Sequence, residues 1–185
     1  MGKDKMIHAL DLDGVVYNMQ KAMDKFFMET MKAPRLDVSQ YDWMGRYAIH
    51  DEVGPNYLTK FGKTNPFLTL EAFPGAIETA RKLNSYGQLF VVSKRDWHPE
   101  GREQTLKRLY QDGIFINPKR LILTGEKGRV ADEINADVFY EDCVENALDI
   151  VDKSEATVYL IDQPWNQGVI PERIIRVKSL ADVVQ

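Results

Sequence analysis

Short apolar runs recur along this chain, and between most of them lie stretches whose apolar residues fall three or four apart. "MIHALDL" (6–12), "QLFVVS" (88–93), "RLILTG" (120–125), "ADVFYED" (136–142), "TVYLID" (157–162) and "IIRV" (174–177) read as strands of a buried parallel sheet. The stretch 74–87, "PGAIETARKLNSYG", opens on a proline, places Ala76, Ile77, Ala80 and Leu83 at helical spacing and stops at Gly87, which predicts a helix. A second helix is expected over 100–113, again ending in glycine, a short one around Arg129 to Ile134, and a first one from about Tyr17 to Met31. Strands alternating with helices predict an α/β fold in three layers, a central parallel sheet with helices on both faces.

One section departs from that rhythm. From the end of the first helix to Pro74 the chain is rich in aromatics and turn residues, too long for an ordinary connection, and reads as a small, mainly helical cap inserted after the first strand. The expected division is an α/β core from residues 1–16 and 73–185, with residues 17–72 as the cap over the carboxyl ends of the strands.

Composition narrows the possible partners. The 185 residues carry 24 basic and 28 acidic side chains, a formal charge of −4, with no cationic stripe of the kind that holds duplex nucleic acid. The single cysteine, Cys143, excludes an internal disulfide and a cysteine-based zinc site. The first residues lack the apolar length of a signal peptide, Met6 breaks the myristoylation pattern, and no run is long enough to span a membrane. The expectation is a cytoplasmic protein that engages no membrane.

The chemistry lies at the strand ends. Asp11 and Asp13 close the first strand just before Gly14, Ser93 closes the second, Lys127 follows the third, and Glu141 and Asp142 close the fourth. In a parallel sheet these ends share one edge, so carboxylates, a hydroxyl and an ammonium converge where open α/β sheets bind ligands. A carboxylate attacking an anionic phosphate needs its repulsion offset, which Mg2+ on carboxylates and a lysine achieve. Taken alone, an Asp-x-Asp-Gly pattern is also ordinary turn chemistry; the remaining strand ends tip the reading toward phosphate chemistry.

These motifs resemble the haloacid dehalogenase-like hydrolases: "DLDGV", "VVSK", Lys127 and "FYEDC" are similar to that superfamily's four motifs in order. "FPGAIETARKL", "YEDCVENA" and "IDQPWN" extend the resemblance to its 5'(3')-deoxyribonucleotidase branch, over nearly the whole chain. The resemblance implies a Mg2+-dependent phosphomonoesterase with Asp11 as nucleophile and Asp13 as general acid/base. Asp11, the Asp13 carbonyl and Asp142 would hold the metal, with Glu141 either ligating it directly or orienting Asp142 through water, and Ser93, Lys127 and Lys94 would bind phosphate. The expected substrate is a small phosphate ester, a nucleoside monophosphate, with Tyr17, Trp43, Tyr47 and Arg95 as candidate contacts. Glu141 departs from the usual aspartate, and Lys94 and Arg95 stand where the branch more often carries apolar residues or proline.

Competing readings keep the fold and change the role: a phosphatase of another small ester or of a nucleic-acid 3'-phosphate end, or a non-catalytic nucleotide- or partner-binding protein. Other features carry less. His8, His50 and His98 lack metal-ligand spacing, and Cys143 reads as a small packed residue. "FGKT" (61–64) lacks the glycine that a P-loop places five residues earlier. Most cap aromatics are expected to build the cap's own core, and "QPWNQG" (163–168) is read equally as a turn or as a substrate-side loop.

Overall fold

Six parallel strands, β1 (Ile7–Leu10), β2 (Gln88–Ser93), β3 (Leu121–Leu123), β4 (Val138–Glu141), β5 (Thr157–Ile161) and β6 (Ile174–Val177), form one sheet in the order β3-β2-β1-β4-β5-β6. This computed structural model describes residues 5–183, so the first four residues, on which part of the leader-peptide reading rests, lie outside it. All six expected strands form, although β1 and β3 are shorter than their apolar runs.

Strand pleat explains the two covered faces. Leu10 sits beside Val91 and Tyr140, and all three point into one apolar cluster with Ala76, Ala80 and Leu83 of α5 (Ala76–Tyr86) and Leu109 of α6 (Gly101–Gln111). Their chain neighbours Ala9, Val92 and Phe139 point the other way. There they meet Val130 and Ala131 of α7 (Lys127–Glu133) and Ala147 and Ile150 of α8 (Val144–Lys153). Near-continuous apolar strands are what a sheet buried on both sides requires.

Between β1 and α5 the chain inserts helices. The first, α1 (Met19–Lys25), is capped by the Asn18 side chain accepting from the Lys21 amide, and it runs on into a π-helical turn over Phe26–Thr30. The single expected helix is therefore present but wound more loosely in its last turn. Three short helices follow: α2 (Trp43–Tyr47), α3 (Gly54–Gly62) and α4 (Pro66–Thr69). Their aromatics do build a local core, in which Phe27 and Tyr47 stack at 4.5 Å and Trp43 tilts over Phe27 at 5.7 Å. Phe61, Phe67 and Leu70 of the same segment join the cluster beneath the sheet, so the inserted helices share apolar packing with the α/β body.

The sheet order reverses direction at β1: β2 and β3 extend to one side of it, β4 to β6 to the other. Open α/β sheets leave a crevice at that point, beyond the carboxyl ends of the central strands.

Candidate active site

The crevice between β1 and β4 is filled by carboxylates. The Asp11 amide donates to the Tyr140 carbonyl at 3.0 Å, which pins the end of β1 against β4 and sets Asp11 beside Glu141 and Asp142. One carboxylate oxygen from each of the three lies within 4.8 Å of the others, and all three side chains are buried. Beyond Asp11 the chain makes a tight turn in which the Leu12 carbonyl accepts from the Val16 and Tyr17 amides. Gly14 has φ +79° there, and a Cβ at that position would lie 1.9 Å from an Asp142 oxygen. Only glycine lets the turn approach the carboxylate so closely.

Lys127, the first residue of α7, reaches across to both strands. Its Nζ donates to Asp11 Oδ2 at 2.6 Å and to Glu141 Oε2 at 2.7 Å. Burial opposes its charge, yet the Asp11 and Glu141 carboxylates outweigh that and hold the ammonium above its ordinary pKa. The other Glu141 oxygen accepts from Asn146 Nδ2 at 2.9 Å and from the Cys143 amide at 3.2 Å. Both Glu141 oxygens are thus engaged within the protein, which makes this residue the anchor of Lys127.

Asp142 is the opposite case. Neither of its carboxylate oxygens has a hydrogen-bond partner although both are buried. Burial first, and then the Glu141 and Asp11 charges, push its carboxyl well above the usual range. Its backbone, by contrast, is firmly held, since the Asp142 carbonyl accepts from Trp165 Nε1 at 3.2 Å and Asn166 Nδ2 at 2.8 Å. Ser93, at the end of β2, likewise has a buried hydroxyl with no partner.

These orphaned oxygens fit a divalent cation. A buried polar atom with no partner costs about 1–3 kcal/mol, and an all-oxygen donor set with accumulated negative charge matches a hard ion such as Mg2+. When ionised, the carboxylates of Asp11, Asp13, Glu141 and Asp142 face two buried cations, Lys127 and Arg95; the two remaining negative charges equal one divalent ion.

The structure assembles some of the sequence-derived candidates and sets others apart. Asp11, Lys127, Glu141 and Asp142 come together. Lys94 is exposed, its stem lying over Gly125, and makes no contact with the carboxylates. Tyr17 and Tyr47 are fully buried, with hydroxyls donating to Asp112 and Asp24 at 2.7 Å. They offer a ligand no surface; their rings pack and their polar ends are spent internally. Trp43, partly exposed, belongs to the aromatic cluster around Phe27. Arg95 is also fully buried and donates to Asp13 and Thr105, so the expected substrate contact is instead an internal one.

Several residues of the site were visible in the sequence only as part of a motif or an aromatic stretch, without an assigned task. Gln163 Nε2 donates to the Gly14 carbonyl at 2.8 Å, while Asn166 ties Asp142 to the Ile161 carbonyl, so the loop read as a turn or a substrate-side element braces the turns carrying Asp13 and Asp142. Tyr41 leaves nearly half its surface exposed. Burial of its hydroxyl first, and then the charge of Asp142, raise its pKa above the ordinary tyrosine value. Its ring lies 6.5 Å from that of Trp165, so the inserted segment and the core meet beside the carboxylates.

A parallel sheet in this order with an acidic cluster at its switch point is an arrangement that solved structures of haloacid dehalogenase-like proteins share. Over 97% of both chains the fold is similar to a haloacid dehalogenase-like hydrolase from Streptococcus pneumoniae (12% identity, TM-score 0.66). It is also similar to a subfamily IA hydrolase of the same superfamily from Geobacter sulfurreducens (15% identity, 99% and 96% of the two chains, TM-score 0.59). A third is D,D-heptose 1,7-bisphosphate phosphatase from Burkholderia thailandensis (13% identity, 96% and 94%, TM-score 0.57). No curated protein matches the sequence. The family model described as 5' nucleotidase, deoxy (pyrimidine), cytosolic type C matches residues 5–185, and the chain belongs to that family of phosphoric monoester hydrolases.

Proposed function

We propose that this protein is a Mg2+-dependent 5'(3')-deoxyribonucleotidase that releases phosphate from deoxyribonucleoside monophosphates through an aspartyl-phosphate on Asp11. The observation that carries this reading is the buried set Asp11, Lys127, Glu141 and Asp142 at the switch point, with two carboxylate oxygens and a serine hydroxyl left unpartnered. The family description supports the nucleotide substrate. Its cytosolic type and the single cysteine support a cytoplasmic setting.

Each group has a role that its environment supports. Asp11 attacks phosphorus, its carboxylate held in place by the Leu12 amide at 2.7 Å and by Lys127. The Ser93 hydroxyl and the Lys127 ammonium hold phosphate oxygens. Asp13 protonates the departing alcohol and then takes a proton from the water that hydrolyses the aspartyl-phosphate. Asp11, Asp142 and the Asp13 carbonyl would hold Mg2+, which when bound supplies the positive charge that lets an anionic phosphate approach a carboxylate. Residues 17–72 act as the cap over this edge, with Tyr41 packed 6.5 Å from Trp165, which holds the Asp142 carbonyl.

The test is phosphate release from 5'- and 3'-deoxynucleotides, ribonucleotides and sugar phosphates, with Mg2+ and with chelator, for the native protein and Asp11→Asn. Release led by deoxynucleotides, dependent on Mg2+ and abolished in a folded Asp11→Asn protein, is expected. Activity retained by that variant refutes the nucleophile; activity confined to sugar phosphates refutes the substrate class.

A further inference from the structure

Arg95 is a fully buried cation whose guanidinium is aimed at one carboxylate. Nε donates to Asp13 Oδ2 at 2.9 Å and Nη2 to Asp13 Oδ1 at 2.6 Å, the two-pronged geometry that fixes a carboxylate in plane as well as in place. The third nitrogen, Nη1, donates to Thr105 Oγ1 at 3.1 Å. The guanidinium lies 4.5 Å from the centre of the Phe67 ring, on the inserted helix α4, and 5.6 Å from that of Tyr17. The Arg95 backbone is equally confined, since a Cβ at Gly101 would sit 2.1 Å from its carbonyl oxygen. The fork therefore has one position, and Asp13, whose side chain keeps about 20% of its surface exposed, is presented from it.

We propose that Arg95 is the positioning residue of the reaction, holding Asp13 where it serves the leaving group and the hydrolytic water. The proposal rests on the phosphatase reading above. As Asp11 Oδ forms its bond to phosphorus, the P–O bond to the alcohol breaks and the proton on Asp13 passes to the departing oxygen. In the second half a water oxygen bonds to phosphorus, its proton passes to Asp13, and the Asp11–phosphorus bond breaks to release phosphate. Each Asp13 oxygen engaged by the fork keeps a second lone pair for that proton. A lysine at position 95 keeps the charge and loses the fork, so orientation is what it removes.

The experiment compares the native protein, Arg95→Lys, Asp13→Asn and the double variant on two substrates in Mg2+. One is a deoxynucleoside monophosphate, whose alcohol leaves only with a proton; the other is 2,4-dinitrophenyl phosphate, whose phenolate leaves without one. Rapid-mixing measurement of the first release step isolates the leaving-group half. For Arg95→Lys we expect about a 100-fold slower first step on the nucleotide, the low end of what a placed general acid contributes, with KM within a few-fold and the dinitrophenyl burst within about fivefold. The double variant should be no slower than Asp13→Asn alone. Thr105→Val, which removes only the third contact, should show a smaller loss of the same selectivity and covers the case in which Arg95→Lys fails to fold. Equal losses on both substrates, a change in KM alone, or additive losses in the double variant overturn the proposal. If the native protein is active and Arg95→Lys matches it, only this inference falls; if the native protein hydrolyses neither ester, the phosphatase reading falls and takes it along.

Discussion

Gly14→Ala isolates the contact between the turn after β1 and the Asp142 carboxylate. The native φ of +79° costs an L-residue roughly 1–2 kcal/mol, a modest loss for a domain of this size. The larger effect is steric: the new methyl would sit 1.9 Å from Asp142 Oδ2 and 2.4 Å from its Cγ. Carbon and oxygen meet no closer than about 3.3 Å, so the carboxylate or the turn must move by roughly 1.4 Å. A misplacement of about 1 Å in a catalytic constellation lowers rate by ~100-fold. Because Asp142 is a proposed metal ligand, the half-saturating Mg2+ concentration should rise as well. The assay is phosphate release against Mg2+ concentration, with urea unfolding beside it. Gly168→Ala is the control, since φ there is +115° but no atom lies within 4 Å of the added Cβ; it should lose stability and keep its rate. A folded Gly14→Ala protein with native rate and native Mg2+ dependence would refute the placement of Asp142 in the metal site.

Two further outcomes follow from the buried groups. Mg2+ at about 100 times its dissociation constant should raise stability by ~2.7 kcal/mol, or the melting temperature by roughly 5–10 °C for a chain of this size. Asp142→Asn should lose that rise in a thermal melt with and without chelator, and a full shift in the variant would count against the ligand assignment. His8 is buried beside the Tyr140 hydroxyl at 3.1 Å, and burial lowers its pKa below the ordinary 6.5, against the opposing charge of Asp137. The unfolded chain therefore binds the His8 proton first as pH falls, so stability should drop from about pH 6.5 down to the lowered folded value. His8→Gln should flatten that part of a urea-midpoint profile; an unchanged slope would show that His8 does not set it.

The legibility of the site followed the reach of each interaction. Asp11, Asp13 and Gly14 adjoin one another, so the strand, the turn and the paired carboxylates were readable together. Glu141 was visible as an acid at a strand end, but its task depended on Lys127, which lies 14 residues earlier, and on Asn146 in the first turn of α8. Arg95 looked like a substrate contact because it follows Ser93; the fold turns it inward onto Asp13, 82 residues away. Tyr17 and Tyr47 read as aromatics near a site, yet Asp112 and Asp24 claim their hydroxyls from remote positions.

Apolar periodicity by itself determined the strands, their parallel pairing and helical cover on both faces, though not α8 in particular, because burial on two sides leaves a local, repeating mark on a chain. It also determined that the reactive residue types gather at one edge of the sheet. Which carboxylate is saturated, which is left bare and which is gripped by a guanidinium was decided only by tertiary structure. Those properties depend on donors and acceptors brought within about 3 Å from distant segments, and a hydrogen bond of that length leaves no periodic trace in sequence.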